Sequence, residues 1–423
     1  RNKLNNEALK YRDNIESDPS KKLLDYVSTE AENKFRIEET VRKNGWKINY
    51  GAGAEYANYT TTTFQRLANS ITNNYGSDLN LFKFGLFGQV SKGVLKERLQ
   101  LSLGLRMDGS DFNSEMANPL NQLSPRFSAS YKITEKMAVN FNTGIYNQLP
   151  PYTVLGFRNS AGDLLNKEVS FTTVKHVVLG LEYVTGNNSI ITMEGFYKGY
   201  NKYPFGLIDS ISLANVGGDF GVVGNTLVKS NNNGRAYGFE LLAQQKLYKN
   251  FYGIVAYTFV RSEFQDIQSK YVASSWDYRN MLSITAGKIF KKNWETGIKV
   301  RYNSGSPYTP YDLPTSSLKL NYDVIYAGIN DNNKINSERI KPFYQIDFRI
   351  DKKYNFKKWN LNVYLDIQNI TNTKTALRPN FTIEKDANGN GIADPTNNAY
   401  YIPKFLPNTS GVLLPSIGIV VQF

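Results

Sequence analysis

Residues 359–368 read WNLNVYLDIQ. Trp359, Leu361, Val363, Leu365 and Ile367 alternate with Asn360, Asn362, Tyr364, Asp366 and Gln368. Successive side chains of a strand point to opposite faces, so this stretch predicts a strand with one apolar and one largely polar face. The pattern recurs. From Leu99 the apolar set is Leu99, Leu101, Leu103, Leu105 and Met107; from Tyr344 it is Tyr344, Ile346, Phe348 and Ile350; from Trp46 it is Trp46, Ile48, Tyr50, Ala52, Ala54 and Tyr56. The closing LPSIGIVVQF repeats it with Ile417, Ile419, Val421 and Phe423. Strands are expected near 33–43, 46–62, 79–92, 95–109, 123–133, 136–147, 170–185, 188–202, 234–248, 250–265, 275–291, 293–305, 341–354, 357–372 and 411–423. At about 12–16 residues they exceed the usual five or six, and roughly 9–11 tilted residues cross a membrane.

The connections alternate. Tight turns fall at Asn44-Gly45, Gly93-Val94, Thr134-Glu135, Gly186-Asn187, Lys249-Asn250, Lys292 and Asn355-Phe356; between them lie longer segments at 63–78, 110–122, 148–169, 203–233, 266–274, 306–340 and 373–410. Short turns on the periplasmic side and long extracellular loops characterise transmembrane β-barrels. The expected fold is therefore all-β, a transmembrane antiparallel β-barrel with about 15 strands in this chain. Single-chain bacterial barrels have even strand numbers, so the odd tally predicts further strands outside this sequence. A barrel of about 22 strands is of the plugged class.

Composition agrees. No stretch approaches 18 consecutive apolar residues, which excludes a transmembrane helix and leaves strands open. Aromatics make up 13%, with 29 Tyr and 24 Phe; this suits interfacial girdles, or equally a β-rich soluble protein. With no cysteine and only His176, disulfides, thiolate metal sites, His-based zinc sites and His dyads are excluded. The net charge of +13 is scattered without a basic helical stripe. That argues against nucleic acid and suits an outer leaflet rich in lipid phosphates, or an ordinary solvated face. The sequence begins at Arg1 without Met or signal peptide; an exported protein would need residues upstream. Residues 1–32 read as a weakly helical extracellular loop segment, with Asp18 or Ser20 as cap and Pro19 at the first helical position; 33–423 is the barrel portion.

LSPRFSASYKITEKMAVNFNTGIYNQLPPYTVLGF (123–157), GRAYGFELLAQQKLYKNFYGIVAYTFVRSEF (234–264), SSWDYRNMLSITAGKIF (274–290), SGSPYTPYD (304–312) and the ending VYLDIQNITN…LPSIGIVVQF resemble TonB-dependent outer-membrane receptors, particularly those of Bacteroidota. The similarity runs from about residue 33 onward. It implies a 22-stranded barrel filled by an N-terminal plug domain, energised by the TonB–ExbB–ExbD complex through a box ahead of the plug. Neither plug nor box is found in these residues, so the chain resembles the C-terminal barrel part. Phe423 resembles the aromatic last residue read by the barrel-assembly machinery. The implied function is nutrient capture on extracellular loops and transport to the periplasm, with outer-membrane lipid, lipopolysaccharide and a surface lipoprotein as further partners. An open diffusion porin, a scaffold or secretion component, and a soluble β-sandwich lectin are the competing readings.

No nucleophile elbow, P-loop, zinc signature or dinucleotide fingerprint is present, so no enzyme activity and no required cofactor are expected. Three sets of candidate residues remain. Tyr146, Tyr152, Phe157, Tyr203, Phe205, Tyr308 and Tyr311 stand near strand ends, where rings can stack on a ligand or pack loops; Pro150-Pro151 would stiffen the Tyr146–Tyr152 loop. Arg106, Asp108, Glu182, Glu194, Glu240, Lys299, Arg301, Asp347, Arg349, Asp351 and Asp366 are expected in the lumen, contacting a plug or pairing across strands. Asp386, Asn388, Asn390, Ile392 and Asp394 follow the spacing of a calcium loop, with the Ile392 carbonyl as one ligand. Asn397 replaces the bidentate Glu and Pro395 interrupts the pattern. A structural calcium or a plain polar turn are the two readings.

Overall fold

The computed structural model describes residues 2–11, 16–68, 71–216 and 225–423. Residues 12–15 of the expected 1–32 segment, and 69–70 and 217–224 of the expected connections at 63–78 and 203–233, lie outside the described residues. One antiparallel sheet dominates. In chain order it begins with β1 (Asn2–Tyr11), β2 (Lys22–Lys43), β3 (Trp46–Ala68), β4 (Ile71–Val94), β5 (Leu99–Ser110), β6 (Ser124–Lys132) and β7 (Met137–Gln148). It continues with β8 (Thr172–Val184), β9 (Ser189–Gly206), β10 (Val228–Tyr248), β11 (Phe251–Gln265), the short β12 (Tyr271–Ala273), β13 (Arg279–Phe290) and β14 (Trp294–Asn303). A side ribbon of β15 (Pro307–Tyr308) with β16 (Glu338–Arg339) precedes β17 (Phe343–Asn355) and β18 (Asn360–Gln368). Small ribbons β19 (Thr375–Ala376) with β24 (Thr409–Ser410), β20 (Asn380–Ile383) with β23 (Pro403–Leu406), and β21 (Ala393–Asp394) with β22 (Asn397–Tyr401) fill the last long connection before β25 (Leu414–Gln422). Four short α-helices, α1 (Ser114–Ala117), α2 (Tyr152–Leu155), α3 (Leu313–Ser317) and α4 (Lys319–Ile325), lie in the loops at the same end.

Every long strand pairs with its sequence neighbour, from β1–β2 to β18–β25. The sheet curls, so that α4, between β14 and β17, touches β3.

Register separates the two faces. Val177, Leu179, Leu181 and Tyr183 of β8 stand opposite Tyr197, Gly195, Met193 and Ile191 of β9; Met193 stands opposite Leu241 of β10. At the far side Leu361, Val363 and Leu365 stand opposite Val421, Ile419 and Ile417. These side chains have no second protein layer over them among the described residues: Leu179 is 57% exposed, Phe35 66% and Ile417 79%. An apolar stripe left bare across a whole sheet is the surface of a barrel that meets hydrocarbon. Exposed aromatics edge it. Trp46, Tyr131, Tyr183, Tyr248, Phe251, Phe290, Trp294, Tyr354 and Phe356 flank the tight turns, while Tyr56, Phe82, Tyr197 and Tyr344 mark the other border. Trp46 to Tyr56 is ten residues on one strand, about 33 Å along it and roughly 25 Å along the membrane normal at a tilt of about 40°.

The alternation places all fifteen expected long strands, and two departures follow from tertiary context. The 1–32 segment is not weakly helical: Asn2–Tyr11 pairs with β2, in unbroken register from Asn2 opposite Glu32 to Lys10 opposite Leu24 and then, past a bulge, Tyr11 opposite Lys22. Six residues of weak helix propensity do not outweigh a full ladder on an open edge. The expected cap is real, however; Asp18 accepts from the Ser20 amide at 2.9 Å and Pro19 opens a one-turn 3-10 helix. Residues 63–78 are likewise mostly strand. β3 and β4 run 23 and 24 residues and rise well past the aromatic border, because their inner face there is covered. Ala57, Tyr59, Leu79 and Leu81 pack with Met116, Val154, Leu155, Val169, Phe171, Leu213 and Val228 from the loops. The turns at the opposite end are tight; Asn44 (φ 51°) and Gly45 (φ 76°) form a two-residue left-handed turn between Lys43 and Trp46, which suits Asn-Gly. One turn falls later than expected, at Leu95–Arg98 rather than Gly93-Val94.

Candidate functional site

The polar face of β2 to β7 lines an open cavity of about 460 Å³, within the range of small-molecule sites. Its wall alternates charge and bare backbone. Lys34 and Arg36 come from β2, Gly53 and Glu55 from β3, Lys83 and Gly85 from β4, Arg106 and Asp108 from β5, and Arg126 from β6. Asn147, Gln148, Leu149 and Phe171 complete it where β7 leads into the next loop. Glycine at 85 makes room for the Arg106–Asp108 pair, since a Cβ there would come within 2.6 Å of the Asp108 carboxylate.

The charges interlock. Lys34 bridges Glu32 at 2.7 Å and Glu55 at 3.3 Å; Lys83 bonds the same two carboxylates. Arg36 pairs with Glu38, and Arg106 holds Asp108 through two parallel bonds of 2.8 and 2.6 Å. The loop above is tied into this network. Tyr152 in α2 donates its hydroxyl to Glu32 at 2.7 Å, lies 2.5 Å from the Lys83 amine and stacks on Tyr59. Burial, then the Glu32 carboxylate, pushes its phenol pKa up. α2 itself seats Val154 and Leu155, both fully buried, against the inner face of β3 and β4. Asn166 fastens the loop by donating to the Val154 and Thr226 carbonyls and accepting from the Val228 amide.

The expected aromatic residues divide into two groups. Phe157 packs edge-on to Tyr75 and is buried; Tyr203 packs on Phe264 at 4.6 Å; Phe205 sits in the ladder opposite Lys229. Tyr146 stacks on His176 at 4.4 Å. Tyr308 and Tyr311 lie elsewhere, gathered by Arg378, whose guanidinium is 3.6 Å from the Tyr311 ring; Tyr311 also meets Phe381 and Phe405. Tyr322, Phe381 and Ile383 form the small core of that second body. Most of these rings hold loops together.

The lumen set shares one face. Arg301 donates to Asp347 at 3.2 Å, and Arg349 grips Asp351 while lying over Tyr364. Asp366 stands opposite Arg349, Lys299 opposite Asp347, and Glu240 opposite Glu194; Glu182 is on the same face of β8. A node that the sequence reading missed lies at the loop end. Asp277, fully buried, accepts from the Ser262 amide at 2.8 Å and meets Arg261, Arg279 and Arg339; Arg339 also caps the Asp277 and Gly305 carbonyls. The 306–340 connection is thereby pinned to β11–β13.

The calcium-like segment folds as consecutive turns. Asp386 accepts from the Asn388 and Asn390 amides at 2.9 and 2.8 Å, and Asp394 from the Thr396 amide and hydroxyl. The Ile392 amide donates to the Glu384 carbonyl. The two carboxylates thus serve different turns, and no group of three or more acidic or His ligands converges among the described residues.

The sequence profile described as "TonB dependent receptor-like, beta-barrel" matches residues 2–370, and the chain belongs to that family. These are outer-membrane barrels of Gram-negative bacteria, receptors and transporters rather than enzymes, which places this chain in the outer membrane. A search of curated protein sequences finds no match. The ferripyoverdine receptor of Pseudomonas aeruginosa, solved with ferripyoverdine, is similar at 13% identity and a TM-score of 0.61, over 94% of this chain and 49% of that one. The ferric yersiniabactin uptake receptor of Yersinia pestis is similar at 11% identity and a TM-score of 0.60, over 94% and 55%. The ferric-catecholate import receptor of Escherichia coli K12 is similar at 10% and 0.58, over 99% and 59%. The chain spans about half the length of the structures it matches, and at these identities the likeness is one of fold.

Proposed function

We propose that this chain is the C-terminal barrel part of a TonB-dependent receptor that captures a nutrient on its loops and delivers it to the periplasm. The observation that carries the reading is the tied-down loop over a polar lumenal cavity, on a sheet whose opposite face is bare and apolar. In this reading the loop-rich end is extracellular and the tight turns are periplasmic. The full barrel has about 22 strands. A plug domain contacts the lumen through Arg106, Glu182, Glu240, Arg301, Asp347, Arg349 and Asp366, and TonB–ExbB–ExbD supplies energy through that plug. Lipopolysaccharide surrounds the outer border, and a surface lipoprotein docks on the loops. The motifs at 123–157 and 234–264 favour the Bacteroidota type. The solved relatives named above bind ferric siderophores; a metal chelate is one nutrient class for this chain, beside glycans, peptides and cobalamin.

Calcium is not required in this account, since the 386–394 turns are closed by their own hydrogen bonds. The experiment is uptake by cells that do or do not express the complete protein, with and without a protonophore. Uptake that requires the protein and collapses with the protonophore supports the receptor. Steady large conductance of the purified protein in a planar bilayer, with uptake indifferent to the protonophore, establishes an open porin instead.

A further inference from the structure

Five cations line the lumenal cavity, and four of them have carboxylate partners. Arg126 is the fifth. Among the described residues no carboxylate pairs with it, and its Nε is buried without a hydrogen-bond partner. Its guanidinium lies 4.4 Å from the centre of the Tyr146 ring, which in turn stacks on His176. The neighbouring strands are cleared for it. Gly104 stands opposite on β5 and Gly144 on β7; a Cβ at Gly144 would come within 3.1 Å of the Arg126 side chain and 3.2 Å of the Tyr146 ring. A cation held over an aromatic ring, between two bare backbone positions, keeps its donor fork free for a planar or tetrahedral anion. Gln148, also on the wall, adds a neutral amide.

We propose that Arg126 anchors the ligand of this cavity and that the ligand is a small anion bearing carboxylate or phosphate groups. The inference rests on the receptor reading and narrows it to a substrate class. Lys34, Lys83 and Arg106 supply the surrounding positive field, and the Tyr146 ring fixes the direction from which the anion approaches.

The test uses the full-length protein in detergent, titrated by calorimetry with tricarballylate and with inorganic pyrophosphate; the two probes separate a carboxylate ligand from a phosphate one. One probe is expected to bind, with affinity about 10-fold or more weaker in R126Q. K132Q, which removes the same charge from the exposed end of β6, leaves it unchanged. Heat-dependent migration on gels reports whether each variant is folded. Should R126Q fail that check, Y146L takes its place with the same expectation. Equal weakening in R126Q and K132Q, or no binding of either probe to the unmutated protein, overturns the assignment. That negative leaves protonophore-sensitive uptake untouched, so the inference and the receptor reading fail separately.

Discussion

Asp277 offers a sharp perturbation. Its carboxylate is fully buried and faces three guanidiniums: Arg261 at 3.3 Å, Arg279 at 3.7 Å and Arg339 in direct contact. Of these, Arg261 has a second acid in Glu263 at 2.7 Å. Asp277→Asn keeps the shape and can keep the acceptor for the Ser262 amide, yet it removes the only carboxylate that pairs with Arg339 among the described residues. Breaking a buried pair from one side typically costs about 3–5 kcal/mol, because the remaining charge is left uncompensated. Arg339 retains its bonds to the Asp277 and Gly305 carbonyls, so the lower figure is the better guide. At about 3 kcal/mol, opening of the 306–340 loop becomes roughly 100-fold more frequent. Hydrogen exchange of the detergent-solubilised protein reads this directly: amides of 306–340 speed up by about that factor while β13 and β14 stay protected. The double variant Asp277→Asn with Arg339→Met recovers part of the protection, since both charges are then gone. Unchanged exchange in a folded Asp277→Asn protein would refute the role given to this node.

Two further outcomes follow from the same contacts. Leu155→Ala removes a fully buried side chain of the loop core and should destabilise the seated 149–171 segment by about 2–5 kcal/mol, seen as new protease cleavage there with strand protection retained. The Asp386 turn should respond to acid and not to chelator. Backbone and side-chain bonds from Asn390 hold its carboxyl below the usual 3.8, so its contribution is complete above that value and disappears as pH falls through the lower folded value. Amide exchange at 386–391 across that range checks this, and adding EDTA at neutral pH should leave it unchanged.

Alternation alone located the long strands, because lipid and lumen impose opposite polarity on every other side chain from Leu99 to Ile367. It failed where that demand lapses. Asn2–Tyr11 is mostly polar on both faces and is strand only through its ladder with β2. Thr60 to Thr63 lie above the aromatic border, where loop residues cover the inner face and the period-two contrast fades. The site was legible in kind and not in place. Charged lumen residues such as Arg106, Asp108, Arg349 and Asp351 were visible as the polar half of a strand, but their pairing along one strand, rather than across strands, was not. The loop rings left ligand stacking and loop packing both open; Tyr152 and Phe157 fasten a loop and Tyr311 belongs to a separate core. Arg126 was missed because its signal is the pair of glycines across from it, and that pairing exists only once the register is known.

The bare apolar face is the claim on which the rest depends, and the natural absence of cysteine makes it directly measurable. Single cysteines at 177 to 184, each carrying a fluorescent label, would be quenched in liposomes by brominated lipid tails or by aqueous iodide. The account predicts lipid quenching at Val177, Leu179, Leu181 and Tyr183 and iodide quenching at Val178, Gly180 and Glu182. Loss of that two-residue period, or iodide reaching Leu179 and Leu181 as readily as Glu182, would contradict it.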